Sequence, residues 1–442
     1  MNDSTLKQIR YEIYKCFDQA GDALFNLVDA LLSESQAQSL PELSQSPFFE
    51  RKWPSVYEAL EDGRINVKRL RAVLVKSGLA ACEDDELVCI AVDATNIGRP
   101  DAKTSEDRGI IHVPNLPLVD KPLSIGWQAS NVVLIPDTPS SWTPTLDTKR
   151  IKTNETPIQV AIAQLRALRP LFGNRQVIVL ADRGYATPAF LRACLELRYS
   201  VLVRIKSDRK LYRSPVRLHK RGPVPKDGPL LQGKSKETHG QPNEVCLQQD
   251  SKGRSVRISR WDDMHFQQDR SLLLKVIGVE REAAKGSKRD PRMSWFVMLD
   301  DIIPLSEIPQ MYARRFSQEH GYRFSKQNLL WTDVHVRTPE QFERWSWLVA
   351  IVFDLLFFAR DLGQGILRPW EPKDRPVTPQ QVRRVMPAIL VCLGTPTKPC
   401  RPRGKSPGRA KGFRPQPAPR FQVVIKHPKK LKKLKEPLQN TG

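Results

Sequence analysis

Six residues stand out for the chemistry that their types and spacing allow. Asp93 lies in Ala91-Val-Asp-Ala-Thr95 and Asp182 in Leu180-Ala-Asp-Arg-Gly-Tyr185, each at the end of a predicted strand. Carboxylates at strand ends in an α/β sheet are costly unless they are solvated, paired or bound to a cation. Converging carboxylates without cysteine or histidine partners suit a hard, oxygen-preferring ion such as Mg²⁺ or Mn²⁺. Taken one at a time, each aspartate reads better as a turn or cap residue. The segment Met311–Lys326 adds the other four. Steps of three, four and seven residues place Tyr312, Arg315, Glu319 and Lys326 on one helix face. An acid flanked by Arg, Lys and Tyr can hold a metal while its neighbours grip phosphate oxygens. By itself the stripe is an ordinary solvated face with an Arg/Glu pair. Beside two strand-end aspartates, the site reading is the stronger one.

These side chains need a scaffold, and the hydrophobic pattern predicts one. Glu86–Asp93, Gly126–Ile135, Gln176–Asp182 and Val201–Ile205 are short apolar runs that read as strands, with a helical pattern over Pro157–Leu168 between them. Strand, helix, strand order favours an α/β layer with a partly parallel sheet. From Lys206 to about Pro291 the chain is polar, basic and rich in Gly and Pro. Strand-like runs at Ser255–Ser259 and Leu272–Val279 make this a β-rich insertion. Trp295–Leu299 resumes the strand character, and Ile308–Lys326 and Pro339–Arg360 read as helices. Residues 6–34 repeat apolar side chains every three or four positions, predicting an amphipathic helix. Ile65–Lys76 predicts a second helix, with four basic residues. Together they define a helical region before the sheet, either a cap over the core or a DNA-contacting domain. The expected divisions are 1–85 (helical), 86–205 (first part of the core), 206–291 (insertion), 292–370 (second part of the core) and 371–442. That last segment holds most of the fourteen prolines found from Pro369 onward and the run Lys429–Lys435, and reads as a disordered basic tail.

The spacing Tyr312-x2-Arg315-x3-Glu319-x6-Lys326 resembles the Y-R-E-K signature of DDE transposases from bacterial insertion sequences. Asp93 resembles that family's first acid and Asp182, in Ala-Asp-Arg-Gly-Tyr-Ala, its second, in the right order and at similar intervals. The resemblance spans about residues 86–360 and implies an RNase H-like mixed sheet flanked by helices, interrupted by a β-rich insertion. It further implies a catalytic triad of Asp93, Asp182 and Glu319 holding two Mg²⁺ or Mn²⁺ ions. These would cut DNA at the element's terminal inverted repeats and join the ends to target DNA. Arg315 and Lys326 would contact DNA phosphates, and Tyr312 the terminal nucleotide region. Action on two DNA ends implies a homodimer in the complex with double-stranded DNA. Relatives with the long insertion often use a Trp there to hold a flipped base; Trp261 and Trp295 are candidates, although Trp295 also fits a core strand. Asp101, Glu106 and Asp107 lie near the first acid but in a polar stretch that reads as loop, and His320 reads as helix surface.

Composition agrees. The 442 residues carry a net charge of +23, and thirteen Lys or Arg face one acid, Glu436, beyond residue 400. Such an excess favours a polyanionic partner, nucleic acid before membrane. Seven cysteines without a Cys-x-x-Cys spacing argue against a disulfide framework or a zinc site and for a reducing compartment, and the resemblance implies a cytoplasmic, nucleoid-associated setting. The most apolar stretch, Ser346–Ala359, contains Asp354 and is too short to span a bilayer. The alternatives are a transposase-derived DNA-binding protein without catalysis and an RNase H-like nuclease without strand transfer.

Overall fold

The computed structural model describes residues 2–80, 87–113, 123–136, 140–215, 217, 225–251, 253–282, 293–364, 368–372, 374–400 and 408–426. The expectations for Glu86, for 401–407 and for the Lys429–Lys435 run lie outside those residues.

Amphipathic periodicity makes the N-terminal part helical: α1 (Asp3–Tyr14), α2 (Gly21–Ser33), α3 (Leu40–Leu43), α4 (Pro54–Asp62) and α5 (Val67–Ala80). Two short strands, β1 (Phe17–Gln19) and β2 (Arg64–Ile65), pair between them. The single helix expected over 6–34 is thus interrupted, and Ala20 takes a left-handed conformation (φ 55°). The reversal lets Arg10 of α1 meet Asp29 of α2 in a buried ion pair at 2.6 Å, so that both helices bury their apolar stripes in one core.

The sheet follows: β3 (Leu87–Gly98), β4 (Gly109–His112), β5 (Leu123–Leu134), β6 (Thr145–Ile151), α6 (Pro157–Leu168), β7 (Gln176–Ala181), α7 (Pro188–Glu196) and β8 (Ser200–Ile205). β5 runs antiparallel to both of its neighbours β6 and β3, whereas β3, β7 and β8 are parallel. The order β6-β5-β3-β7-β8 is the RNase H-like mixed sheet. Parallel pairing requires crossover connections, supplied by α6 and α7. α6 begins with a complete capping box, Thr156 with Gln159.

The insertion contributes β9 (Lys210–Tyr212), β10 (Leu230–Gln232), β11 (Glu244–Gln249), β12 (Ser255–Phe266) and β13 (Asp269–Arg281), followed by β14 (Ser294–Met298). β14 pairs antiparallel with β8 and carries β13, β12, β9 and β10 outward, so the insertion extends the same sheet. Trp261 and Trp295 stack with ring centroids 5.4 Å apart, and both are buried. In this arrangement neither indole is available to a flipped base. Each faces inward by strand alternation, and Gly233 and Gly278 pack against the pair.

The chain then forms α8 (Ile308–Arg314), α9 (Phe316–Asn328), α10 (Pro339–Phe358), α11 (Arg360–Gln364) and α12 (Pro379–Leu393). α10 is buried along almost its whole length and shares one hydrophobic cluster with α1, α2, α4, α5 and α12. Its Asp354 accepts the Thr145 amide of β6 at 2.7 Å. Among the described residues, no helix is long and apolar enough to cross a membrane. α12 corrects part of the reading of 371–442 as a mostly disordered, Pro-rich basic tail. It buries Val382, Met386, Ile389, Leu390 and Leu393 and encloses Pro387, whose presence hid the helical period among the surrounding prolines. The segment 408–426 is irregular and largely exposed, joined to Gly109 by a bridge at Val424.

α5 and β6 meet through charge. Arg71 Nε lies 2.9 Å from Asp147 Oδ1, and the Asp147 side chain is fully buried. Burial pushes the Asp147 carboxyl up from 3.8 to about 6, with Arg71 opposing. A raised pKa in the fold favours the protonated form. The resulting stabilisation is complete below about pH 4 and is lost as pH rises through about 6. Urea unfolding across this window is expected to show wild-type stability falling by up to about 3 kcal/mol relative to Asp147→Asn. Parallel profiles for the two proteins would show that Asp147 does not titrate there.

Candidate active site

Strand alternation decides where the two aspartates point. Cys89 and Ala91 of β3 and Ile178 and Leu180 of β7 share one core cluster on one sheet face, so Asp93 and Asp182 continue onto that same face. The last parallel pair is Val92 with Ala181, which sets Asp93 and Asp182 side by side. β7 ends there, and Asp182 precedes the short turn Arg183–Tyr185. Asp93, expected at a strand end, lies inside β3: the strand continues to Gly98 through pairing with β5, where Asn131 faces Asp93.

The third acid arrives on a bent helix. The sequence predicts one helix through Lys326, but the chain tightens at Arg315, with Arg315 N bonded to Tyr312 O at 3.1 Å and Gln318 N to Arg315 O at 3.0 Å. The two halves serve different cores. α8 inserts Ile308, Met311 and Tyr312 beside Phe296 in the cluster under β3 and β7, whereas Tyr322 and Phe324 of α9 pack on the helical cluster. A straight helix could not reach both. α9 approaches closely because Gly321 has no side chain; a Cβ there would sit 2.3 Å from Thr143 Oγ1.

Arg315 stands among the acids. It is only 5% exposed; its Nη1 donates to Asp93 Oδ2 at 3.2 Å, and its Nη2 lies 3.6 Å from Glu319 Oε1. Burial raises the Asp93 carboxyl pKa, Arg315 pulls it back, and the neighbouring Asp182 charge adds to the rise. Burial also works against the Arg315 charge, yet Tyr312, Asp93 and Asp182 together raise its pKa. Lys326 donates from Nζ to Thr95 Oγ1 at 2.7 Å and to Asn96 O at 2.9 Å, and burial lowers its pKa. Tyr312 is buried against Phe296, with ring centroids 4.7 Å apart. The structure therefore gathers Asp93, Asp182, Arg315 and Glu319, tethers Lys326 to β3 and places Tyr312 in the core. Glu319 is the most open of the acids, 51% exposed. Asp107 is a loop anchor, holding Arg150 and the Thr153 amide and hydroxyl.

Sequence reasoning missed the residues that hold this arrangement. Tyr322 donates its hydroxyl to Asp93 O at 2.9 Å. Gln318 Nε2 reaches Asn131 O at 3.3 Å and Tyr322 Oη at 3.2 Å, fastening α9 to β5. The signal was present in the four-residue step from Gln318 to Tyr322, one position beside the acidic stripe.

Three carboxylates with no nitrogen or sulfur ligand are a donor set for a hard divalent cation. Asp93 and Asp182 fit that role, and a resident guanidinium shows that positive charge is stabilised among these acids. Glu319 faces Arg315. Among the described residues, no three acidic, His or Cys side chains converge as a metal site.

Carboxylates on adjacent strands with basic groups beside them are suited to phosphoryl transfer. The family described as DDE superfamily endonuclease matches residues 12–266, more than half of the chain, and the protein belongs to it. The match contains Asp93 and Asp182 and ends before Glu319. No curated protein matches the sequence. Among solved structures, the fold is similar to a piggyBac transposase in a synaptic complex with hairpin DNA. The TM-score is 0.41 at 10% identity, over 90% of this chain and 83% of that one.

Proposed function

We propose that the protein is a transposase. On this reading it cuts double-stranded DNA at the terminal inverted repeats of a mobile element and transfers the ends to target DNA. The observation that supports it most is the register that aligns Asp93 and Asp182 on one face, with Arg315 linking Glu319 to Asp93. Asp93, Asp182 and Glu319 would hold one or two Mg²⁺ or Mn²⁺ ions, which supply activation of water or a 3′-hydroxyl and stabilisation of the leaving oxygen. Arg315 keeps the acids from repelling one another before metal and DNA arrive, and is the group on hand for a phosphate. Lys326 holds the far half of β3 against α9 and presents a second positive charge. Tyr312 sets the angle of Arg315 from the core. The chain works as a helical N-terminal region (1–85), a core (86–205 and 292–370) split by the insertion (206–291) and a C-terminal segment, paired as a homodimer on two DNA ends in the bacterial nucleoid.

A second reading, DNA binding without catalysis, draws on the exposure of Glu319 and its pairing with Arg315. One assay separates the two. Incubation with DNA bearing the gene's flanking repeats and Mg²⁺ or Mn²⁺ is expected to give cuts at the repeat ends, abolished by a chelator. Binding with no cut in either metal would establish the non-catalytic reading.

A further inference from the structure

The carboxyl ends of β7 and β8 open onto a cleft of about 590 Å³ beside Asp182. Its walls come from the turn after β7 (Arg183, Gly184), the turn after β8 (Lys206, Arg209), Lys210 at the start of β9 and the β12–β13 hairpin (Phe266). Ligands of parallel α/β sheets bind outside the carboxyl ends of the strands, and this cleft shares that edge with the candidate acids.

Charge is arranged unevenly around it. Three arginines elsewhere on the insertion are neutralised: Arg254 by Asp250, Arg260 by Glu244, Asp262 and Asp301, and Arg270 by Asp227. Arg192 of α7 is paired with Asp269 in the same way. Among the described residues, no carboxylate pairs with Arg183, Lys206 or Lys210, and all three are exposed. Asp208 is the only acid in the lining. Arg209 is used structurally, donating to Ala186 O at 2.6 Å and lying over the Phe266 ring. This bond ties the turn after β7 to the turn after β8 and keeps the cleft mouth formed. A Cβ on Gly184 would meet nothing within 4 Å, so the turn leaves the mouth open.

We propose that this cleft binds the phosphodiester backbone of a single DNA strand next to the bond held at Asp93 and Asp182. The proposal rests on the endonuclease reading of that site. The volume is that of a small-ligand pocket, too narrow to admit a duplex. A groove of positive charge with an aromatic side chain and amides along it is the usual device for gripping one strand without reading its sequence. Recruiting Arg183, Lys206 and Lys210 breaks no ion pair, whereas Arg254, Arg260 and Arg270 would first have to give up their carboxylates.

The test uses the full-length protein, an oligothymidylate and a blunt duplex of equal length, with affinity followed by fluorescence anisotropy over a salt series. The Arg183→Gln/Lys206→Gln/Lys210→Gln variant removes three phosphate contacts. Its slope of log affinity against log salt for oligothymidylate is expected to shrink by about 2, at roughly 0.7 per contact, with less change for the duplex. Gly184→Glu, which places a carboxylate in open space, should move the slope in the same direction while leaving the unfolding midpoint unchanged. Unchanged slopes in both variants, or a loss confined to the duplex, would overturn the proposal. The metal-dependent cleavage assay on the same preparations keeps the two ideas apart. A wild type that cuts while the slopes stay unchanged sinks the cleft alone. A slope that falls in a protein that never cuts sinks the endonuclease reading and leaves the cleft standing.

Discussion

Glu319→Gln is expected to lower metal-dependent cleavage by at least about 1000-fold, or about 4 kcal/mol of transition-state stabilisation, while end binding stays within a few-fold of wild type. The substitution keeps the size and one oxygen of the side chain but removes the charge that a divalent ion requires. Glu319 is half exposed and carries no core packing, so the fold should tolerate the change. Asp182→Asn, on the neighbouring strand, is expected to behave the same way. Asp93→Asn differs in one respect: it removes a carboxylate that burial makes costly and that partners buried Arg315. Its activity loss should therefore come with altered stability. Near-normal cleavage by Glu319→Gln would place the third acid elsewhere. Joint loss of cleavage, binding and folding would make Glu319 a structural residue.

Arg383→Met is expected to destabilise the protein by about 4 kcal/mol, lowering the thermal midpoint by roughly 4 °C. Arg383, in α12, is 1% exposed. Its guanidinium donates to Leu31 O at 2.9 Å and Glu34 O at 2.7 Å at the end of α2, and to Asn328 O at the end of α9. Two opposing terms decide the size. Burial lowers the Arg383 pKa from 12.5 to about 10, which measures the cost of keeping its charge there, and methionine removes that cost. Three helix-terminal carbonyls would then lie in the core without a donor, at about 1–3 kcal/mol each, and this term wins. Because α9 carries Glu319, its amides should also exchange faster with solvent. An unchanged midpoint would mean that the carbonyls find other donors.

Where side-chain placement follows from a local period, the sequence was sufficient. The short apolar runs already put Asp93 and Asp182 at the ends of predicted strands, although only the register of β3 against β7 set them on one face. The apolar runs predicted the mixed sheet, and the described residues between 206 and 282 are β-rich as their strand-like runs suggested. Tertiary contacts decided what lies between distant residues. The helix over 6–34 broke to pair Arg10 with Asp29, and the acidic helix bent at Arg315 to serve two cores. α12 formed inside a proline-rich segment because an apolar groove was waiting for it. The same holds for charge. Composition shows an excess of Lys and Arg, but only the fold shows that Arg71, Arg315 and Arg383 are spent inside the protein while Arg183, Lys206 and Lys210 face a cleft. Pairing and desolvation depend on which atoms end up within a few ångströms, and for groups far apart along the chain the sequence does not encode that locally.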